Sequence, residues 1–459
     1  MIANPCSPRD SPRVPFPRLN RKTLMIRFTL LSFLFLASVS GCSRKTPVEE
    51  LSVDQSGVEI IDQAVLITDT DWPMWRGPNV DGLAPDQSLP TSWSADEGVA
   101  WRALVPGRGH GSPILVGDQV VVATALDDEQ KQLVIGFDRN DGTERWRTII
   151  HEGGFPSKRE IHNKGTNANS TVASDGERFF TTMLNSQKIF VTALDLEGNQ
   201  LWQREAGSFQ PKFGYAPSPL IYKSLVIIAA DNQGGGYLAA FDRTTGDPAW
   251  RTARGNISSY SSATVGNLGG RDQLLISGCD SVSSYDPATG ELLWETPCIA
   301  EATCGTVAIA GDRLVASGGY PDKETVCLSG KGEKLWSNGT KVYEPSLIAH
   351  DGLVFAVSDD GIAYCWSLEG GEQMWRKRLG GNFSGSPVIC NGNVYVANLS
   401  GDCFVFRASG ENYEQIAKNK LGSDCYASPA IGNSQIVFRI GTGSGGDRQE
   451  SLVCVAAPE

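Results

Sequence analysis

The chain is poor in the side chains that carry most acid–base and metal chemistry. Its 459 residues include 4 histidines and 5 methionines, too few for a histidine-built metal centre or proton relay. The 11 cysteines contain no Cys-Cys pair, no CxxC and no CxxCH, so neither a zinc site nor an attached c-type haem is indicated. Basic residues are outnumbered, with 40 Lys and Arg against 52 Asp and Glu and a formal charge of −12. That balance argues against nucleic-acid binding and against simple attraction to anionic lipid. The apolar run "FTLLSFLFLASV" at 28–39 is too short to span a bilayer comfortably, but it has the length and polarity of a signal peptide.

Arg21, Lys22 and Arg27 precede that run, and "VSGC", ending at Cys42, follows it. The junction resembles a bacterial lipoprotein signal, in which Cys42 becomes the acylated first residue; an ordinary cleaved signal is the alternative. Residues 1–41 are therefore expected to be removed, with Met25 a possible true start. Residues 42–71 read as the lipidated Cys and a flexible, acidic tether, and several acyl chains would anchor the chain stably. Without Cys6 and Cys42 the cysteine count is odd, so at least one stays free or pairs between chains. Cys298 and Cys304 are near enough in sequence to bridge a loop. Cys327, Cys365, Cys390 and Cys454 sit in apolar runs and read as small buried hydrophobes.

What is abundant is glycine, 51 residues, which favours a turn-rich, all-β chain. The segments "GFDRNDGTERW", "AFDRTTGDPAW" and "SYDPATGELLW" repeat one pattern. Trp101, Trp146, Trp202, Trp250, Trp294, Trp336 and Trp375 recur at about 40–55 residues, and Ile416 fills the eighth slot. Ahead of the tryptophans stand Asp138 and Gly142, Asp195 and Gly198, Asp242 and Gly246, and Asp286 and Gly290. In later copies Ser329 and Ser367 replace the Asp. Asp and Gly suit a hairpin between a third and a fourth strand, Gly supplying positive φ. The tryptophan falls on the outer strand, where a flat side chain fills the wedge between neighbouring blades. A catalytic residue is needed once; a residue set repeated this often is structural.

Each period also contains a Ser-Pro-like step, as in "GHGSPILV" and "YAPSPLIY", followed by three β-rich runs. These inner sets begin near residues 112, 170, 217, 262, 303, 345, 384 and 427. The last set has no outer strand after it, whereas "VAWRAL" around Trp101 has no inner set before it. The N-terminal strand should complete the C-terminal blade. The expected fold is one all-β, eight-bladed β-propeller over residues 72–459, built from four-stranded antiparallel blades.

The Asp, Thr-Gly and Trp spacing resembles the pyrroloquinoline-quinone-type propeller repeat, and the resemblance covers roughly residues 72–457. One branch of that superfamily contains quinone-dependent dehydrogenases; the other contains BamB-type lipoproteins, cofactor-free scaffolds in outer-membrane β-barrel assembly. Dehydrogenases of the alcohol type hold the quinone against a vicinal disulfide and a tryptophan floor, with Ca²⁺ bound by Glu, Asn and Asp. This chain has no vicinal cysteines, and none of the catalytic or calcium-ligand motifs carries over. The resemblance therefore implies a BamB-like scaffold with no cofactor and no metal, not an enzyme. It would be tethered on the periplasmic side of the envelope, monomeric, and bind envelope proteins through one propeller face. A quinone- and Ca²⁺-dependent oxidoreductase and a glycan- or peptide-binding propeller are the alternatives.

The residues just before each Ser-Pro-like step should reach one mouth of the channel. His110, Tyr215, Tyr260, Tyr343, Phe383 and Tyr426 would form an aromatic ring suited to a peptide or sugar, or simply pack on their neighbours. The insertion at 147–170 gathers His162, Lys164 and Asn167, a cationic loop able to meet an anionic group or an acidic partner; a solvated loop is the plainer reading. The glycine-rich "DNQGGGY" at 231–237 lacks the following helix that a phosphate loop needs.

Overall fold

In a computed structural model, residues 58–456 other than Asp96 are described. They form eight four-stranded antiparallel sheets, each assembled from consecutive segments apart from the last. Blade 1 spans residues 114–152, blade 2 173–208, blade 3 220–253, blade 4 264–297, blade 5 308–338, blade 6 348–378 and blade 7 388–420. Blade 8 takes three strands from residues 430–456 and its outer strand from Val99–Val105, which pairs with Gln449–Ala456 and sets Trp101 opposite Cys454. The ring is closed by its two ends, as the strand count predicts.

The middle strands are buried on both faces, because a neighbouring blade covers each side. Phe179–Asn185 is buried throughout, and "VVVATA" in blade 1 is a continuous buried run, apolar but for Thr124, for the same reason. Outer strands such as Glu144–Glu152 are mostly half-exposed or exposed. Among the described residues no helix is long and apolar enough to cross a membrane.

The repeated Asp, Gly and Trp now have a shared mechanical role. The Asp242 carboxylate accepts the backbone N–H of Thr244 and Thr245, both at 2.8 Å, and Gly246 N–H returns to the Asp242 carbonyl at 2.8 Å. Gly246 has φ +75°, and a Cβ there would fall 2.6 Å from the Trp202 ring of the preceding blade. Trp101 lies in the same way against Gly142, Trp146 against Gly198, Trp250 against Gly290, Trp294 against Gly332 and Trp336 against Gly371. Most of the indole N–H groups also reach the next blade; Trp101 donates to the Arg139 carbonyl at 2.8 Å and Trp375 to that of Ser409 at 2.7 Å, whereas Trp146 donates to Gln119 of its own blade at 2.7 Å. Where Ser329 replaces Asp, its hydroxyl accepts the N–H of Lys331 and Glu333, so the turn keeps its shape.

The segment expected to be the end of a flexible tether is bonded to the propeller instead. Ile61 N–H donates to Ser224 Oγ, Arg243 donates to the carbonyls of Gln63 and Ala64, and Leu66 N–H donates to the Asp175 carbonyl. Asp71 accepts from Gly117 N–H at 2.8 Å and lies 3.9 Å from Arg139. The chain then crosses from blade 1 to the far side. Trp72 bridges to Leu115, the Trp75 indole donates to Thr306 at 2.9 Å, and Arg76 donates to the Leu347 carbonyl at 2.6 Å. Leu83 finally pairs with Ile389 of blade 7. Residues 58–87 thus form a strap bonded to seven of the eight blades, meeting blades 3, 2, 1, 5, 6 and 7 through residues 61–84 and blade 8 through Gln87 and Ser434. Cys42 and residues 42–57 lie outside the described residues.

All nine described cysteines are unpaired. Cys298 is turned to the Thr296 carbonyl, so the bridge to Cys304 that the sequence spacing permits does not form.

Candidate functional site

The Ser-Pro-like steps place one hydroxyl per blade around the channel. Ser112 N–H donates to Thr171 Oγ1 (2.9 Å), Thr171 to Ser218 (3.0 Å) and Ser218 to Ser262 (2.9 Å). The series resumes with Thr306 to Ser346 (3.0 Å), Ser346 to Ser386 (2.8 Å), Ser386 to Ser428 (2.7 Å) and Ser428 back to Ser112 (3.0 Å). At the remaining junction, between Ser262 and Thr306, the Thr306 hydroxyl accepts the Trp75 indole N–H. At seven of the eight junctions a blade therefore holds its neighbour through a backbone donor that would otherwise be buried unpaired.

Above this ring lies a cavity of about 230 Å³. Trp75 and five residues of the ring, Ser112, Thr171, Ser218, Ser262 and Ser428, form its floor. Its walls come from the loops at the channel mouth, and they include His110, His162, Lys164, Phe213, Tyr260, Tyr343, Glu344, Ser384 and Tyr426.

Four of the six expected ring positions, His110, Tyr260, Tyr343 and Tyr426, do line the cavity. His110 stacks on Tyr426 with centroids 4.1 Å apart and planes within 4°. Tyr215 and Phe383 do not reach it. The Tyr215 hydroxyl donates to the Ala229 carbonyl at 3.0 Å and its ring meets Phe209 edge-on; Phe383 is fully buried against Phe404. Both rings fill hydrophobic wedges between blades. In place of Tyr215 the cavity receives Phe213, 42% exposed. Gly214, with φ +86°, turns the chain between the two aromatics and separates their directions.

The insertion folds over the mouth. His162 and Lys164 line the cavity, and His162 packs edge-on against Phe213 at 5.5 Å. Asn167 does not contribute: its side chain donates to Asp127 at 2.9 Å and its carbonyl accepts from Gln132, so it serves to pin the loop. Asn169, two residues on, lines the cavity and donates to the Tyr215 carbonyl. Sequence reasoning missed Trp75, Phe213, Glu344 and the hydroxyl ring. Only the last had a visible signal, the Ser-Pro-like step at each blade.

The electrostatics are balanced. Lys164 Nζ lies 2.6 Å from Glu344 Oε1, and Ser384 Oγ donates to the other Glu344 oxygen. Burial holds His110 well below its ordinary pKa, helped by Arg108, Arg439 and Arg448, so the imidazole is neutral at pH 7. Its Nε2 and the Tyr260 hydroxyl are buried without a hydrogen-bond partner. Burial also raises the Tyr260 and Tyr343 hydroxyl pKa values, keeping both phenols protonated.

Closed ring, repeated Asp–Gly–Trp docking and hydroxyl belt together define a propeller of the pyrroloquinoline-quinone-repeat class. The chain belongs to the family described as outer membrane protein assembly factor BamB, whose profile matches residues 90–208, 130–377 and 322–416. It is 25% identical over 359 residues to the outer membrane protein assembly factor BamB of Burkholderia pseudomallei, covering 74% of this chain and 84% of that protein. The fold is shared with BamB from Moraxella catarrhalis (TM-score 0.55, 15% identity, 77% of this chain and 98% of that one). A europium-containing methanol dehydrogenase shares it too (TM-score 0.63, 11% identity, 84% and 98%), as does the quinohemoprotein alcohol dehydrogenase of Comamonas testosteroni (TM-score 0.62, 13% identity, 85% and 81%).

The dehydrogenase fold raises the question of a quinone with a hard metal ion. A Ca²⁺ takes about six to eight oxygen ligands, several of them carboxylate. The cavity lining carries one carboxylate, Glu344, and Lys164 and Ser384 already engage it. Among the described residues no three His, Cys, Asp or Glu side chains converge as a metal site. The residues present do not fit that pair.

Proposed function

We propose that the protein is a non-catalytic, cofactor-free interaction scaffold of the cell envelope, tethered on the periplasmic side through an acylated Cys42. Membership of the BamB family supports this reading, as does the name of the Burkholderia relative, which concerns outer-membrane protein assembly. The observation that carries it against an oxidoreductase is the engaged, solitary carboxylate at the channel mouth. On this reading the monomeric propeller is a rigid support, and loops of one face dock components of the outer-membrane assembly machinery.

The test uses the full chain, expressed and lipidated in a Gram-negative host. It should co-purify with the β-barrel component of the assembly machinery from detergent-solubilised envelopes, and Cys42→Ser should release it from the membrane fraction. Thermal melts with pyrroloquinoline quinone and Ca²⁺ complete the test. A specific ligand at 100 times its Kd raises stability by about 2.7 kcal/mol. A shift requiring both additives, with no co-purification, would replace the scaffold by an oxidoreductase.

A further inference from the structure

We propose that the channel-mouth cavity is a binding site for a neutral saccharide, a function independent of the scaffold role. The argument starts from polar groups that the protein leaves uncommitted. The Tyr260 hydroxyl and His110 Nε2 are buried and have no well-aligned hydrogen-bond partner, although Ser258 lies beside the phenol and the Lys164 backbone beside the imidazole; Tyr260 is only 8% exposed. Leaving such groups unpaired forfeits hydrogen bonds that water supplies to the unfolded chain, a loss that a ligand supplying hydrogen bonds recovers.

The cavity floor adds donors. Ser218 and Ser262 use their oxygens to accept backbone N–H groups, and a hydroxyl that accepts still has its own proton to donate. With neutral His110 offering either role, the site presents donors and acceptors side by side. A polyol matches that mixture, since each of its hydroxyls does both.

Charge and shape narrow the class further. Lys164, the Lys or Arg side chain of the lining, and Glu344 neutralise one another at 2.6 Å, so the lining itself offers little to a carboxylate or phosphate. Phe213 stands 42% exposed at the lip, an apolar plate beside the polar floor. A pyranose ring has this division, with C–H groups on its faces and hydroxyls around its edge, and a concave site with aromatic walls and a few placed polar groups is the usual form of a small-ligand pocket.

Saturation-transfer NMR on the chain without residues 1–41 would test this with glucose, N-acetylglucosamine and cellobiose as probes, and with inorganic phosphate and trialanine in competition. At least one sugar should show transfer to its ring protons. Phe213→Ala and Tyr260→Phe should each weaken its affinity by about tenfold, the loss of roughly one hydrogen bond or contact. Circular dichroism melts identify folded variants, and Phe213→Ala, at an exposed position, provides the reading if Tyr260→Phe unfolds. Absence of transfer from all three sugars overturns the proposal. So does transfer that survives Phe213→Ala and Tyr260→Phe, or displacement of the sugar by phosphate or trialanine at lower concentration than by a second sugar. Co-purification with assembly components is unaffected by either variant, which separates failure here from failure of the scaffold reading.

Discussion

Trp202 of blade 2 lies across Gly246 of blade 3 so closely that the missing Cβ of the glycine would sit 2.6 Å from its ring. Gly246→Ala therefore faces both a left-handed backbone and a collision. We expect it to cost about 2–4 kcal/mol in chemical denaturation, combining the two penalties. Gly392→Ala is the comparison, because Gly392 also has positive φ, +65°, but nothing within 4 Å of the added carbon; it should cost about 1–2 kcal/mol. Equal losses would mean that the indole contact contributes nothing.

The hydroxyl belt makes a sharper prediction. Ser346→Ala removes the acceptor of the Thr306 N–H at a site 1% exposed, and should cost about 1–3 kcal/mol. Ser346→Thr should restore most of it, since Thr171 occupies the equivalent position in blade 2. An alanine variant as stable as the parent would show that the belt holds nothing.

Two histidines set a dependence on acid. Burial lowers His110 well below its ordinary value and brings His151 to about 4. Both are neutral in the folded chain and take up protons on unfolding below about pH 6.5. The unfolded state then binds more protons, so stability is complete above that pH and falls as pH drops toward 4, each histidine contributing at most about 1.4 kcal/mol per pH unit. Urea midpoints from pH 7.5 to 4.5 should fall, and His151→Gln should flatten part of the slope. An unchanged slope would remove His151 from this account.

Arg243 is the clasp of the strap. It is fully buried, donates to Gln63 and Ala64, and lies 3.3 Å from Asp175. Arg243→Met should raise hydrogen exchange at residues 61–66 by at least about tenfold, while exchange in blades 5 and 6 stays as in the parent. Unchanged protection would mean that the remaining backbone contacts suffice.

The blades were legible because their signals are repeated. Asp242, Gly246 and Trp250 recur with their spacing, and one wedge between blades imposes one solution. Trp101 without a blade of its own revealed the closure. The strap was not legible, since Arg243 and Leu66 meet backbone carbonyls, which any sequence presents. The cavity was half legible. His110, Tyr260, Tyr343 and Tyr426 follow from their place before each inner strand, whereas Tyr215 and Phe383 occupy the same place and turn into the wedges. Phe213 and Tyr215 exchange roles through one glycine torsion, a choice that spacing does not encode.

Closure by Val99–Val105 against Gln449–Ala456 has a consequence for biosynthesis. The first strand of the ring is made early and waits for the last, so no intermediate length of chain can seal the circle. Until residues 430–456 are made, blade 1 and blade 7 each keep an uncovered apolar face and the strand Val99–Val105 lacks its partner. Synthesis interrupted anywhere within residues 430–456 would leave an open arc.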